Sequence, residues 1–204
     1  PDVPGLPERW GHDVLHCPYC HGWEVRDEPV GVLASGPMSL HQVRLFRQLT
    51  DDLVYLRHRA PAPTPEEAEE LTALGVRVVD GEVTGLEVTD DRLTGVRLAD
   101  GTVVPRAALV VAPRFVARSA VLDDLGIETA EHPTGRYVPT ADAVGRTSVP
   151  GVWVAGNVTD LSAQVIAAAA AGNTAGAQLN ADLVAEDTAR AVARLRARTS
   201  EGAA

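Results

Sequence analysis

The spacing of apolar positions changes several times along the chain, and each change marks an element. Val30-Gly31-Val32-Leu33-Ala34 is an unbroken apolar run of strand length, as expected where both faces are covered. Ser35-Gly36-Pro37 is turn chemistry, with Pro37 suited to the first helical position. Leu40, Val43, Phe46 and Leu49 then recur every third residue and predict one apolar face of a helix. Leu53-Val54-Tyr55-Leu56 predicts a second strand, ending in Arg57-His58-Arg59. Thr64-Pro65-Glu66-Glu67 is a capping box, and its helix should reach about Leu74 before Gly75 stops it. From Val76 the period falls to two. Residues 76–79, 83–88, 93–98 and 103–104 read as short strands, turned by Asp80-Gly81, Asp90-Asp91 and Asp100-Gly101. Residues 107–111 read as a strand buried on both faces.

A second region opens near Pro113. The loop Thr147-Ser148-Val149-Pro150-Gly151 leads to Val152-Trp153-Val154-Ala155, expected as a buried strand that Gly156-Asn157 turns. A long alanine-rich helix should start near Ser162 and run past Leu179. The tail with Arg190, Arg194, Arg196 and Arg198 continues it, those cations reading as a solvated face near a helix C-terminus. Residues 1–16 carry Pro1, Pro4 and Pro7 and read as an extended connector ending in a short strand at Val14–Leu15. The strand–helix–strand–helix–meander order predicts an α/β fold, a Rossmann-like nucleotide-binding domain with an antiparallel insertion. The expected divisions are a connector at 1–16, a central domain at 17–113 and a further segment at 114–204.

Composition narrows the partners. With 45% hydrophobic and 23% charged residues the chain is a folded one. A net charge of −10 argues against nucleic acid and against anionic membrane surfaces. No apolar run approaches a membrane span. The start at Pro1-Asp2, without Met, reads as a piece of a longer protein. With no signal-peptide pattern in view, two cysteines fit a reducing cytoplasm, where a C-x-x-C is more often catalytic than structural.

Both cysteines lie in Cys17-Pro18-Tyr19-Cys20-His21-Gly22-Trp23-Glu24. That spacing brings two sulfurs within disulfide reach. Pro18 favours a tight helical turn, and a helix start favours thiolate at the first sulfur. His21 stands where an imidazole can move a proton to or from a departing thiol. Other readings stay open at this point. C-x-x-C-H is also a haem-attachment pattern. His16 and His21 flank the pair as zinc ligands would, although His12, His41, His58 and His132 show no paired spacing. A purely structural disulfide is the last.

Two segments have nucleotide-handling chemistry. Ala34-Ser35-Gly36-Pro37-Met38-Ser39 occupies a strand–turn–helix phosphate-loop position, where Gly36 alone fits G-x-G-x-x-G/A. Arg57, His58 and Arg59 then favour a 2′-phosphate, hence NADP over NAD. A degenerate unit kept as scaffold is the plain alternative. Further on, Gly156-Asn157 and the long helix place the amides of Gln164 and Val165 at a positive helix end, which suits the negative edge of a reduced flavin. Ala163, Ala167 and Ala168 allow a flat ring to approach, or simply allow tight helix packing.

Taken together, CPYCHGWE, the strand–helix–strand unit, the meander, TSVPGVWVAGNVTD and SAQVIAAAAAGNTAGAQLNADL resemble thioredoxin reductase-like flavoproteins of the pyridine nucleotide–disulfide oxidoreductases. The resemblance covers nearly the whole chain. It implies FAD as cofactor, a homodimer, and residues 114–204 as the C-terminal segment of a second, FAD-binding Rossmann-like domain. It implies that Cys20 exchanges electrons with the flavin and that Cys17 meets the substrate. His21 stands where reductases carry a proton-donating Asp. Gly156 and Asn157 match the Gly-Asp that holds the ribityl and pyrophosphate region, and Gln164 and Val165 match the segment touching the isoalloxazine.

Three departures qualify this. The nicotinamide loop lacks its glycines, and His41 stands near the position of its usual Glu. The usual His-Arg-Arg is reduced to Arg57-His58-Arg59. Both leave NADPH use open and resemble instead the dithiol oxidases of disulfide-containing natural products, such as those for gliotoxin and holomycin, which share C-x-x-C-H-G and pass electrons through FAD to oxygen. The N-terminal FAD half is not in this sequence, so these residues alone are expected to hold FAD weakly or not at all and to be inactive by themselves. The expected function is a flavin-dependent thiol–disulfide oxidoreductase acting on a thioredoxin-like protein or a small-molecule dithiol or disulfide. An oxygen-using dithiol oxidase is the alternative, and a non-enzymatic redox or binding module the third reading.

Overall fold

The computed structural model describes residues 1–36 and 38–201, so the turn position expected of Pro37 lies outside the described residues. The chain divides into two compact units, Pro1–Pro113 and Arg114–Ala204.

In the first unit the elements run α1 (Leu6–Arg9), β1 (Val14–Leu15), α2 (Pro18–His21), β2 (Val30–Leu33), α3 (Ser39–Phe46), β3 (Leu53–Leu56) and α4 (Pro65–Ala73). β4 (Arg77–Val79), β5 (Val83–Thr89), β6 (Arg92–Leu98), β7 (Val103–Val104) and β8 (Ala108–Val111) complete it. A 5-stranded sheet has the order β1-β8-β2-β3-β4, all pairs parallel. A second, 3-stranded sheet has the order β5-β6-β7 and is antiparallel. The two-residue side-chain period sorts the central strands onto two cores. Val30, Val32, Leu53, Tyr55, Ala108 and Val110 pack with Val43, Phe46 and Leu71 of the helices. Leu33, Val54, Leu56, Leu109 and Val111 pack with Val83, Leu93, Val96 and Leu98 of the meander, and with Leu6. Strands covered on both faces must be apolar throughout, which is why β2, β3 and β8 are buried at every position.

Local signals set the details. The Thr64 hydroxyl accepts from the Glu67 amide at 3.2 Å, and the Glu67 carboxylate accepts from the Thr64 amide at 2.8 Å, the expected capping box. Asp90 and Asp91 both take positive φ, 50° and 58°, as a tight hairpin turn demands. Two expectations are corrected. β4 does not join the meander; it pairs in parallel with β3, because α4 returns the chain to the edge of the main sheet. Residues 1–16 do end in strand Val14–Leu15, but they are not an extended connector, since Leu6–Arg9 is helical. Arg9 holds this region down by pairing with Asp13 and Asp91, while Asp13 accepts from the Leu93 amide at 2.7 Å. Burial pushes the Asp13 carboxyl up, but the Arg9 guanidinium and the Leu93 amide outweigh it and hold it below the usual range.

The second unit contains β9 (Phe115–Val116), α5 (Ala120–Asp124), β10 (Ala130–His132), β11 (Gly135–Tyr137) and α6 (Val165–Glu201). Its 3-stranded sheet has the order β10-β11-β9, and Ile127, Val138 and Val154 form a small core. The expected strand Val152-Trp153-Val154-Ala155 is a correction. Only Trp153 makes a bridge, to Arg146, because the neighbouring segment is a loop that supplies single hydrogen bonds rather than a ladder. α6 spans 37 residues and starts three later than expected. Asp160 ties the Ser162 amide and hydroxyl into a loop that delays it. Among the described residues no helix is long and apolar enough to cross a membrane.

Candidate active site

The two cysteines sit where β1 gives way to α2. Cys17 is the extended residue before the helix, Pro18 opens it, and the amides of Cys20 and His21 donate to the Cys17 carbonyl at 3.3 and 3.1 Å. Pro18 needs no amide partner at this position, so the turn forms without loss. Both thiols are free, and their sulfurs lie 2.7 Å apart, with the Cys20 thiol donating to Cys17. That hydrogen bond, with burial and the charge on Cys17 adding to it, pushes the Cys20 thiol up to about 11. Cys20 and His21 are exposed and Cys17 is half-buried. Tyr19 and Trp23 stand out beside the pair at 74% and 68% exposure, with the Arg26 guanidinium 4.3 Å over the indole. Removing Cys17's sulfur should therefore return Cys20 towards an ordinary thiol, near pH 8.5. Iodoacetamide alkylation of Cys20 against pH in Cys17→Ala measures this; an unchanged profile contradicts it.

The segment rests on α3. A Cβ at Gly22 would lie 2.5 Å from Leu49 Cδ1 and 3.8 Å from Phe46, so the backbone after α2 presses against the end of α3 and the turn beyond it. The sequence reading missed Gln42, which is 3% exposed. Its Nε2 lies 3.0 Å from the His16 carbonyl, 3.2 Å from the Val111 carbonyl and 3.2 Å from His16 Nδ1. His16 also lies 3.3 Å from the Val111 carbonyl through Nδ1, and burial lowers its pKa, keeping it neutral. The signal was available. Ser39, Gln42, Val43 and Phe46 are the fully buried α3 positions, at i, i+3, i+4 and i+7, whereas Leu40 and Leu49 are half-buried. Two polar residues on that face hid the true period.

The loop after β2 is closed by its own side chains. The Ser39 hydroxyl, 1% exposed as a residue, accepts from the Ser35 amide at 3.0 Å and the Gly36 amide at 3.2 Å, and donates to the Gly36 carbonyl at 2.8 Å. The Ser35 hydroxyl donates to the Ala112 carbonyl at 3.0 Å and accepts from its amide at 3.2 Å. Gly36 itself is exposed. The basic trio at the end of β3 is likewise engaged. Arg57 pairs with Asp80 and Arg59 with Glu82, while His58 Nδ1 accepts from the Val83 amide at 3.0 Å. Among the described residues no three His, Cys, Asp or Glu side chains converge as metal ligands.

The second unit holds the other expected residues. Gly156 is buried with φ 78°, and a Cβ there would meet only Ala168, at 3.4 Å. Asn157 Nδ2 donates to the Ala163 carbonyl at 2.8 Å, which fixes the loop into α6. Ala163 is half-buried and Gln164 exposed, and Val165 and Ile166 of the first turn are 89% and 78% exposed. Long-helix first-turn amides have no acceptor within the helix and carry its positive end.

This fold and these segments define a class. The chain belongs to the pyridine nucleotide-disulphide oxidoreductase family, which it matches over residues 1–172. Within it the chain is of the thioredoxin-reductase type. It is 47% identical to HlmI, whose crystal structure superposes with a TM-score of 0.84 over 98% of this chain and 61% of that one. It is 29% identical to an oxidoreductase from Agrobacterium tumefaciens, with a TM-score of 0.79 over 90% of this chain and 60% of that one. It is 30% identical over 195 residues to the thioredoxin reductase tcpT of Claviceps purpurea, covering 91% of this chain and 59% of that protein. The chain thus spans about three-fifths of the length of these relatives.

Proposed function

We propose that this chain carries the dithiol of a flavin-dependent thiol–disulfide oxidoreductase. The observation behind this is the free Cys17/Cys20 pair, 2.7 Å apart on an exposed turn in a chain of this family. The family match favours this reading of the pair over haem attachment, zinc or a purely structural bridge. In the proposed exchange the Cys17 sulfur attacks a substrate disulfide, which breaks and releases one substrate thiol. Cys20 then attacks Cys17, freeing the second substrate thiol and closing the Cys17–Cys20 bond. Two electrons and two protons pass from the pair to the substrate, and the reverse sequence oxidises a substrate dithiol. His21, exposed after the pair, is the proposed proton carrier.

FAD fits the second unit: Gly156, Asn157, Ala163, Gln164 and Val165 would hold it, and when bound it supplies a two-electron carrier to the dithiol. The small residues, the left-handed Gly156 and the open apolar first turn of α6 support this. The first unit gives little support to a bound nicotinamide dinucleotide. Its pyrophosphate would need the Ser35 and Gly36 amides, which the buried Ser39 hydroxyl already holds. The Arg57–Asp80 and Arg59–Glu82 pairs are partly exposed, weak, and would yield alone; the buried hydroxyl weighs more against a bound pyrophosphate. This favours the second reading within the class, in which a substrate dithiol and O2 become a disulfide and hydrogen peroxide. A cytoplasmic setting, supported by the free thiol pair, and a homodimer, supported by the family alone, complete the proposal.

The full-length flavoprotein tests it. Under anaerobic conditions NADPH should leave the flavin absorbance unchanged, whereas dithiothreitol should bleach it; readmitted air should restore colour and release peroxide. Bleaching by NADPH would show a working nicotinamide site and overturn the oxidase reading.

A further inference from the structure

We infer that Gln42 is a positioning residue for the dithiol, holding the peptide that leads into Cys17 and so setting the distance between the two sulfurs. The inference rests on the dithiol reading above. Gln42 lies on α3, in the element that follows the closed loop, and it is almost wholly buried. Its amide nitrogen has two hydrogens and meets two carbonyls, those of His16 and Val111, at 3.0 and 3.2 Å. Rotating the amide would set its oxygen against both carbonyls, so the donor assignment follows from the geometry. Oε1 meanwhile is buried with no hydrogen-bond partner. An apolar residue of the same length would avoid that penalty but strand both carbonyls. What Gln42 secures is therefore the pair of carbonyls.

The place of the His16 carbonyl gives this pair its meaning. It belongs to the peptide that joins His16 to Cys17, so holding it fixes the plane from which Cys17 departs. The Cys17 carbonyl in turn receives the amides of Cys20 and His21, so the turn carrying the second sulfur hangs from the first. At the far end of the turn Gly22 presses on Leu49 and Phe46. α3 and the turn that follows it thus grip the dithiol turn at both ends, through a polar clamp at its start and an apolar contact at its finish. Val111 ends β8, so the same amide ties the turn to the central sheet. Loss of the clamp lets the His16–Cys17 peptide rotate, lengthens the contact between the sulfurs and weakens the Cys20-to-Cys17 hydrogen bond.

The test compares Gln42→Met, which keeps length without donors, with Arg47→Ala. Arg47 caps the C-terminus of α3; its guanidinium donates to the Leu74 carbonyl at 2.8 Å and the Thr50 carbonyl at 3.2 Å and pairs with Asp51, and it bonds neither the His16 nor the Val111 carbonyl, so its loss is a structural control outside the clamp. In Gln42→Met the alkylation rate of Cys17 at neutral pH should fall about five-fold, a coupling of ordinary size, and Cys20 should titrate lower than in the wild type. Arg47→Ala should change neither. Should Gln42→Met not fold, Gln42→Asn keeps the amide but cannot span both carbonyls, and the same two shifts are expected. If either Gln42 variant folds and keeps wild-type alkylation profiles at both sulfurs, or if Arg47→Ala moves them equally, the positioning role is overturned. A wild-type chain whose thiols never cycle with glutathione would instead sink the dithiol reading, which is a separate result.

Discussion

Cys20→Ser should lower thiol–disulfide turnover of the full-length flavoprotein by about 10³-fold or more, while leaving it folded. Cys20 is exposed and serine nearly matches it in size, so the expected loss is chemical rather than structural. The two sulfurs lie 2.7 Å apart, and only Cys20 is placed to attack Cys17 once that sulfur is bound to substrate. Without it the mixed disulfide has no internal route out. Mass spectrometry should find the substrate thiol attached to Cys17 in Cys20→Ser and no adduct in Cys17→Ser. Normal turnover in Cys20→Ser, or adducts on Cys20 in Cys17→Ser at the same level, would remove the division of labour proposed for the pair.

Gly145→Ala should unfold the second unit by about 3 kcal/mol more readily, whereas Gly151→Ala should cost about 1 kcal/mol. Both glycines have positive φ, 93° and 81°. A Cβ at Gly151 meets nothing within 4 Å, but at Gly145 it would lie 2.3 Å from the Val154 carbonyl oxygen. That oxygen is backbone and cannot swing aside. The Val154 amide also donates to the Gly145 carbonyl at 2.8 Å, so forcing the segments apart breaks a buried bond as well as straining a turn. Thermal unfolding followed at Trp153, with both variants in parallel, measures the difference. Equal midpoints would mean that the close approach at Gly145 carries no energy.

Local chemistry was readable in the residues and distant partnership was not. The Thr64 capping box, the Asp90-Asp91 turn and the apolar runs of β2, β3 and β8 state their conformations within a few neighbours. Cys17-Pro18-Tyr19-Cys20 likewise declares a tight turn, because Pro18 and the spacing suffice. β4 shows the same apolar pattern as the meander strands, and only its partner, β3, decides which sheet it enters. Val152-Trp153-Val154-Ala155 has the composition of a strand but receives no ladder. Ser39 and Gln42 were the least legible. Ser39 reads as phosphate-loop chemistry, yet its hydroxyl turns inward onto Ser35 and Gly36. The atoms that give Gln42 its role lie 26 and 69 residues away along the chain.

Thiol trapping across a series of glutathione redox buffers is the most direct check on the dithiol. The chain should carry two alkyl groups at the reducing end and none at the oxidising end, with its mass lower by two hydrogens and a Cys17–Cys20 linkage in the peptide map, and the change should reverse on returning to reducing buffer. Two alkylatable thiols persisting at the oxidising end, or a bond that does not reopen, would contradict it.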